Sequence, residues 1–257
     1  MKITLITGAT GGLGKEFAKL YAKDGNHLLL VGTNSEKLEL LKDELKKEFD
    51  VQIDCYCADL SNRNQQTELF EYTKQKGYFV NNLVNNAGFG DRTDFKDMDV
   101  EKQMTMLDVN CSAVLYFTRV FLDDMLKNDE GHIINVASIA GLLPGPYMST
   151  YHASKAFVLS LGEAVAYEIR KTNVKLLTLC PGPFISGFVS RAKFEYTFSK
   201  LKPITAEKVA TYGYKKSKKG ASLAVVGFRE KVLTFLPRLF PRKMATAISA
   251  STAKKGG

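Results

Sequence analysis

Tyr151 and Lys155 stand four residues apart in the run Tyr151-His152-Ala153-Ser154-Lys155. On a helix that spacing puts both side chains on one face. A free phenol, with a pKa near 10, is a poor base at neutral pH. An ammonium group beside it favours the phenolate and brings it into range for general acid–base work. Ser138, thirteen residues before Tyr151, follows an apolar strand-like run. From a strand end its hydroxyl could hydrogen-bond the oxygen that Tyr151 protonates and hold the reacting carbon in place. The chemistry this set suits is proton transfer to and from a carbonyl or alcohol oxygen. Tyrosine and lysine four apart are also common neighbours on a helix surface, so the pair carries weight only with further features. His152 is turned about 100° away on such a helix and reads as packing.

The first of those features is a glycine cluster, Thr7-Gly8-Ala9-Thr10-Gly11-Gly12-Leu13-Gly14, between a strand-like run and a helix-period segment. Glycines let the backbone turn sharply and approach a pyrophosphate, and the helix start offers unpaired N–H groups and partial positive charge. Gly8, Gly12 and Gly14 fit one dinucleotide-binding spacing; Gly8, Gly11 and Gly14 fit another. At the first strand–helix junction of an alternating chain such a cluster is a strong signal.

The elements that must position these groups alternate along the chain. Strands are predicted at Ile3–Thr7, His27–Val31, Gln52–Cys57, Asn82–Val84, His132–Ala137, Lys175–Cys180 and Ser222–Val226. Amphipathic helices are predicted at Gly14–Asp24, Glu36–Glu48, Arg63–Lys76, Val100–Leu126, Thr150–Lys171 and Ala206–Lys218. Short apolar strands separated by helices imply one doubly wound α/β domain, a parallel sheet of about seven strands with helices on both faces. The 257 residues, 45% apolar and 25% charged, suit one such domain. Between the last two strands, about residues 184–220, the aromatic-rich run from Phe184 through Phe188, Phe194, Tyr196 and Phe198 is placed where a substrate lid would sit. No apolar run reaches the roughly 18 residues of a membrane span, and the N-terminal run lacks the pattern of a signal peptide, so a cytoplasmic location is expected. Cys55, Cys57, Cys111 and Cys180 have no Cys-x-x-Cys spacing and read as buried free thiols; no metal site is expected. His27 and His132 read as strand-start residues.

From Thr7 to Pro183 the chain resembles the classical short-chain dehydrogenases/reductases, over about three-quarters of its length. The phosphate loop is followed by Asp59 in Ala58-Asp59-Leu60, by Asn85-Asn86-Ala87-Gly88 at the end of the fourth strand, by Asn110, Ser138, Tyr151 and Lys155, and by Pro181-Gly182 after the sixth strand. The resemblance implies a Rossmann fold and hydride transfer between a nicotinamide cofactor and a carbonyl or secondary alcohol. It implies a catalytic set of Asn110, Ser138, Tyr151 and Lys155. Tyr151 would exchange the proton, Lys155 would lower the Tyr151 pKa and hold the nicotinamide ribose, and Asn110 would position a water linking Lys155 to solvent. Cofactor contacts are implied for Gly8, Thr10, Gly11, Gly12, Leu13, Gly14, Thr33, Asn34, Asp59 (toward the adenine), Leu60, Asn86, Ala87, Gly88, Tyr151, Lys155, Pro181 and Gly182. A homodimer or homotetramer, built through the helices holding Asn110 and Tyr151, is implied as well.

The second strand ends Val31-Gly32-Thr33-Asn34-Ser35 without the acidic residue that binds a ribose 2′-hydroxyl, which favours NADP over NAD. The arginine many NADP-users carry near Thr33 is absent, and Thr33, Asn34, Ser35 or Lys37 would supply donors instead. Two other functions fit the same marks. One is a reductase of 3-oxoacyl thioesters in lipid metabolism; the other is a regulator that senses the dinucleotide without turnover, although such relatives usually lose the tyrosine or lysine that this chain keeps.

Charge is unevenly spread. From Arg191 onward there are 16 basic and 3 acidic residues, net +13, against 20 and 24, net −4, before it. Phe228 to Lys243 interleaves large apolar residues with Arg and Lys, a pattern of membrane-surface segments and equally of a terminal helix pair with solvated basic side chains. Pro237 and Pro241 would break one long helix, which favours the packed pair. A small-molecule substrate is expected, and no nucleic acid partner.

Overall fold

Strand residues of both parities are apolar and buried, which only a sheet covered on both faces allows. In the first strand Ile3 and Leu5 face one layer while Ile6 faces the other. A computed structural model of the chain, describing residues 1–185, 204–235 and 241–254, shows that sheet. Its strands are β1 (Lys2–Thr7), β2 (His27–Gly32), β3 (Ile53–Cys57), β4 (Phe79–Asn85), β5 (Gly131–Val136), β6 (Val174–Cys180) and, last in the chain, β9 (Leu223–Val225). All pair in parallel in the order β3-β2-β1-β4-β5-β6-β9. A separate two-stranded ribbon joins β7 (Phe184–Ile185) to β8 (Ile204–Thr205).

Helices α1 (Gly12–Lys23), α2 (Ser35–Glu48) and α7 (Ala206–Lys218) cover one face, packing Phe17, Tyr21, Leu38, Val209 and Tyr214 on the sheet. Helices α3 (Arg63–Gln75), α5 (Ala113–Lys127) and α6 (Ser149–Glu168) cover the other, with Leu69, Phe117, Phe121 and Met125 at the centre. Burying each such side chain contributes about 1.5–3 kcal/mol. Helix α4 (Val100–Leu107) runs into α5 through a π-helical turn at Asp108–Ser112. Helices α8 (Phe228–Phe235) and α9 (Arg242–Lys254) close the described chain.

The strand order reverses between β1 and β4, and the crevice there lies at the strands' carboxyl ends, where doubly wound sheets bind ligands. The lid expected at about 184–220 falls for residues 186–203 outside the described residues; of the rest, α7 packs Val209, Ala210 and Tyr214 into the core. One sequence expectation needs correction. Cys57 is exposed rather than buried, since it ends β3, the edge strand; Cys55 and Cys111 are half-buried and Cys180 is buried. Among the described residues no helix is long and apolar enough to cross a membrane.

Candidate active site

The glycine turn is shaped by what its neighbours leave no room for. Gly8 has φ +62°, and a Cβ there would lie 2.9 Å from the Ala87 Cα. A Cβ on Gly14 would come within 2.3 Å of the Gly8 carbonyl oxygen. Gly11 is less confined, with the same oxygen 3.3 Å from its would-be Cβ, and its N–H closes the turn onto that oxygen at 3.0 Å. Gly12 opens α1 and is exposed, whereas Leu13 turns its side chain into the core. No side chain caps the start of α1, so its first N–H groups face the crevice mouth as donors for an anion.

Asn86 bolts this turn to β4. Its Nδ2 donates to the carbonyls of Thr7 (2.9 Å) and Gly8 (3.1 Å), while the N–H groups of Asn86 and Ala87 both donate to Thr7 Oγ1 at 3.0 Å. Behind it, buried Asn85 donates to Asn135 Oδ1 (2.9 Å) and Thr118 Oγ1 (3.1 Å), tying β4 to β5 and α5. Further out along the edge, Thr33 and Asn34 are exposed after β2, and Asn34 Oδ1 is engaged as the cap of α2, accepting the Lys37 N–H at 2.8 Å. Thr10 Oγ1 stands 3.6 Å from where a Cβ on Gly32 would be. Asp59 is exposed after β3, accepting from the Ser61 N–H (2.9 Å) and hydroxyl (2.8 Å), and Leu60 is buried.

On the far side of the crevice Ser138 follows β5 and caps the short helical turn Ile139–Leu142, accepting the Ala140 N–H at 3.1 Å. Its side chain is hydrogen-bonded to Tyr151, which is 9% exposed and packed with Met98, Met106 and Met148, beside Phe89 and Ala140. Lys155, 5% exposed, donates from Nζ to the Val136 carbonyl at 2.9 Å and lies 5.9 Å from the centre of the Tyr151 ring. The carbon of Gly88 is close to both Asn110 and Lys155: a Cβ there would be 2.9 Å from Asn110 Oδ1 and 3.3 Å from Lys155 Nζ. The structure thus brings Ser138, Tyr151, Lys155, Asn110 and Gly88 together.

The electrostatics run against the sequence expectation. Burial pushes the Tyr151 phenol up to about 12, more than the Ser138 hydrogen bond pulls it down, and the Cys180 thiol adds to the rise. Burial also pushes the Lys155 ammonium down to about 8, partly countered by Cys111 and Cys180. In an apolar setting both charges are penalised, and the tether to Val136 directs the ammonium at a carbonyl, so the protein's own residues do not deliver a lowered phenol pKa.

Asn110, fully buried, lies in the π-helical turn. Its Nδ2 donates to the Phe89 carbonyl (2.9 Å) and to Ser154 Oγ (3.0 Å), and its Oδ1 accepts the Phe89 N–H (3.1 Å). Ser154 Oγ in turn donates to the Tyr151 carbonyl at 2.7 Å. Sequence reasoning read Cys180 as a buried thiol without placing it near Tyr151, and overlooked Ser154 and the three methionines; of these only Ser154, a hydroxyl three residues after Tyr151, left a signal. His152 packs, as expected, with Nδ1 2.8 Å from the Leu143 carbonyl and its ring against Gly145. The buried Pro181–Gly182 turn is held by the Ile139 N–H, which donates to the Pro181 carbonyl at 3.0 Å.

A glycine turn and a buried tyrosine–lysine–serine cluster on either side of the switch point of a seven-stranded parallel sheet place this molecule in the Rossmann class of α/β proteins. Residues 2–195 match the model of the short chain dehydrogenase family, and the chain belongs to that family of oxidoreductases. It is 33% identical to an uncharacterized oxidoreductase of Staphylococcus saprophyticus over 181 residues, 70% of this chain and 77% of that protein. Among solved structures it resembles a 7β-hydroxysteroid dehydrogenase, with a TM-score of 0.86, 25% identity and 96% of each chain covered. It also resembles a short chain dehydrogenase/reductase from Burkholderia phymatum in complex with NAD, with a TM-score of 0.84, 26% identity and 93% of each chain covered.

Proposed function

We propose that this chain is an NADP(H)-dependent oxidoreductase interconverting a carbonyl and a secondary alcohol, with Tyr151 as its general acid and base. The observation that carries the proposal is the Tyr151 phenol, buried, hydrogen-bonded to Ser138 and one helical turn from a buried lysine. The confined Gly8 and Gly14, the uncapped start of α1 and the backbone of Asn86–Gly88 fit a dinucleotide laid along the sheet edge. Residues toward the adenine end would be Asp59 and Leu60; toward the other end, Pro181, Gly182 and Lys155. Bound there, an oxidised nicotinamide supplies a hydride acceptor and a positive charge.

Ser138 orients the substrate oxygen, and Tyr151 gives or takes the proton at that oxygen. At neutral pH the phenol is protonated, as reduction of a carbonyl requires. Lys155, held by Val136, stands ready to return a proton as its ammonium, and the Asn110–Ser154–Tyr151 chain keeps α6 in register with the π turn. Met98, Met106 and Met148 exclude water around the phenol.

The preference for NADP rests on the end of β2, where Thr33, Ser35 and Lys37 are exposed and no carboxylate follows Gly32 until Glu36. Exposed Leu115 on α5 and Phe157 and Tyr167 on α6 support a homo-oligomer through those helices. A panel of carbonyl compounds, including ketones and acetoacetyl thioesters, assayed with both reduced cofactors at the nicotinamide absorbance, tests the reading. Oxidation of NADPH by at least one of them, abolished in Tyr151→Phe, is expected; no turnover with either cofactor on any compound would contradict it.

A further inference from the structure

The chain's charge is segregated, and its most basic stretch ends in two helices that leave Val232, Phe235, Met244 and Ile248 exposed. The last thirty residues hold seven Arg or Lys against the single acid Glu230. Helix α8 packs on the Ile139–Leu142 turn next to Ser138, and Glu230 folds back over Gly227 and against Gly182, which orients the helix beside the candidate active site. That docking leaves Val232 (41% exposed) and Phe235 (58%) facing outward. Helix α9 begins where the Pro241 carbonyl accepts the Met244 and Ala245 N–H groups. Ala245 is buried, while Met244 (42%) and Ile248 (47%), one turn apart, stand exposed together.

Basic residues adjoin these apolar ones along both helices. Arg229, Lys231, Arg242 and Lys243 are exposed. Lys231 of α8 and Lys216 of α7 both lie over the Tyr212 ring, at 6.0 and 5.6 Å from its centre, which joins the lysines of α7 to the same patch. A nucleic acid would use the charges and leave the apolar side chains in water. A bilayer uses both, placing apolar side chains among the lipid headgroups and Lys and Arg against lipid phosphates.

We infer that α8 and α9 form a docking face for an anionic membrane surface, with Phe235, Met244 and Ile248 inserted and Lys231, Arg242 and Lys243 on the headgroups. The opening beside Ser138 is then held close to the bilayer. The inference stands apart from the proposed reaction, since it uses none of the catalytic groups.

Co-sedimentation of the full chain with phosphatidylcholine vesicles, alone or with about 30% phosphatidylserine, tests it. The expected result is binding at least about tenfold stronger to the anionic vesicles and weakened about tenfold by high salt. Arg242→Glu/Lys243→Glu and Phe235→Ser/Ile248→Ser should each lose about tenfold in binding, while an unchanged thermal transition shows that the variants fold. Absence of binding to the anionic vesicles would overturn the inference. So would a charge-reversed variant binding as tightly as the unaltered chain. If the apolar variant bound normally and a short DNA duplex competed as well as lipid, the patch would be a plain polyanion site, and the membrane assignment would fall.

Discussion

Around Gly8 the crevice is shaped by backbone tied down through two neutral side chains, Thr7 and Asn86, whereas around Tyr151 the groups are ionisable side chains held where neither charge is comfortable. Thr7, Gly8, Asn86 and Ala87 satisfy one another through five hydrogen bonds of 2.9–3.1 Å counting the Gly11–Gly8 closure, and only the absence of side chains leaves space for a ligand. Twenty-odd residues of α6 and the β5 end give the opposite arrangement, a phenol pushed up to about 12 and an ammonium pushed down to about 8. One region is a finished shape that selects its ligand by fit. The other holds a phenol and an ammonium that burial pushes toward neutrality, and on the proposed reaction a further positive charge beside them would favour the phenolate that alcohol oxidation needs.

That contrast can be broken at either side. The largest effect is expected for Tyr151→Phe, which should lower turnover about a thousandfold while leaving cofactor affinity within a factor of a few, since the hydroxyl shapes no part of the glycine turn. Equilibrium dialysis beside initial rates checks both halves. Next is Lys155→Met, which should lower turnover about a hundredfold and yet stabilise the fold. The native pKa of about 8 lies below the ordinary lysine value of 10.5, so below about pH 8 the native state carries a buried charge that the unfolded chain holds in water. The cost is about 3 kcal/mol, offset by about 1 kcal/mol from the bond to Val136. The variant's advantage should therefore be full at pH 7 and shrink as pH rises from about 8 toward 10.5, because the unaltered chain gains stability across that window. Denaturant titrations at pH 7 and pH 10 read the difference.

At the glycine turn, Gly14→Ala should destabilise by about 2 kcal/mol or more and weaken cofactor binding, because its Cβ meets a backbone carbonyl that cannot move freely. Gly11→Ala, with 3.3 Å of clearance, should cost under about 1 kcal/mol. Thermal melts with and without cofactor separate the two. Smaller in its effect on rate, Ser154→Ala removes the link between Asn110 and the Tyr151 carbonyl and should reduce kcat about tenfold with little change in the cofactor KM. A loss confined to stability would show that the link supports the fold alone.

Much of this was legible before any coordinates. The seven principal strands announce themselves as short runs apolar at both parities, and their observed limits differ from expectation by a few residues. The ribbon of β7 and β8 did not, because two-residue strands carry no period. Nor did the π turn at Asp108–Ser112, which adds a residue to one helical turn inside a continuous amphipathic run and hardly disturbs the pattern. Tyr151, Lys155 and Ser138 were readable from spacing, since spacing is what a helix and a strand end convert into proximity. The direction of the Tyr151 shift was not, because it depends on burial by Met98 and Met106, roughly fifty residues away in the chain. Spacing reports which groups meet; it is silent on how dry the meeting place is.

The central claim is that Tyr151 exchanges the reaction's proton, as a neutral phenol in reduction and as a phenolate in oxidation only with the oxidised cofactor's charge beside it. The difference in ultraviolet absorbance between the unaltered chain and Tyr151→Phe, titrated from pH 7 to pH 10 with and without oxidised NADP, isolates this one phenol among eleven tyrosines. The account predicts no phenolate signal across that range in the protein alone and a single titrating phenolate once the cofactor is bound. A phenolate that appears equally in both conditions, or in neither, would contradict it.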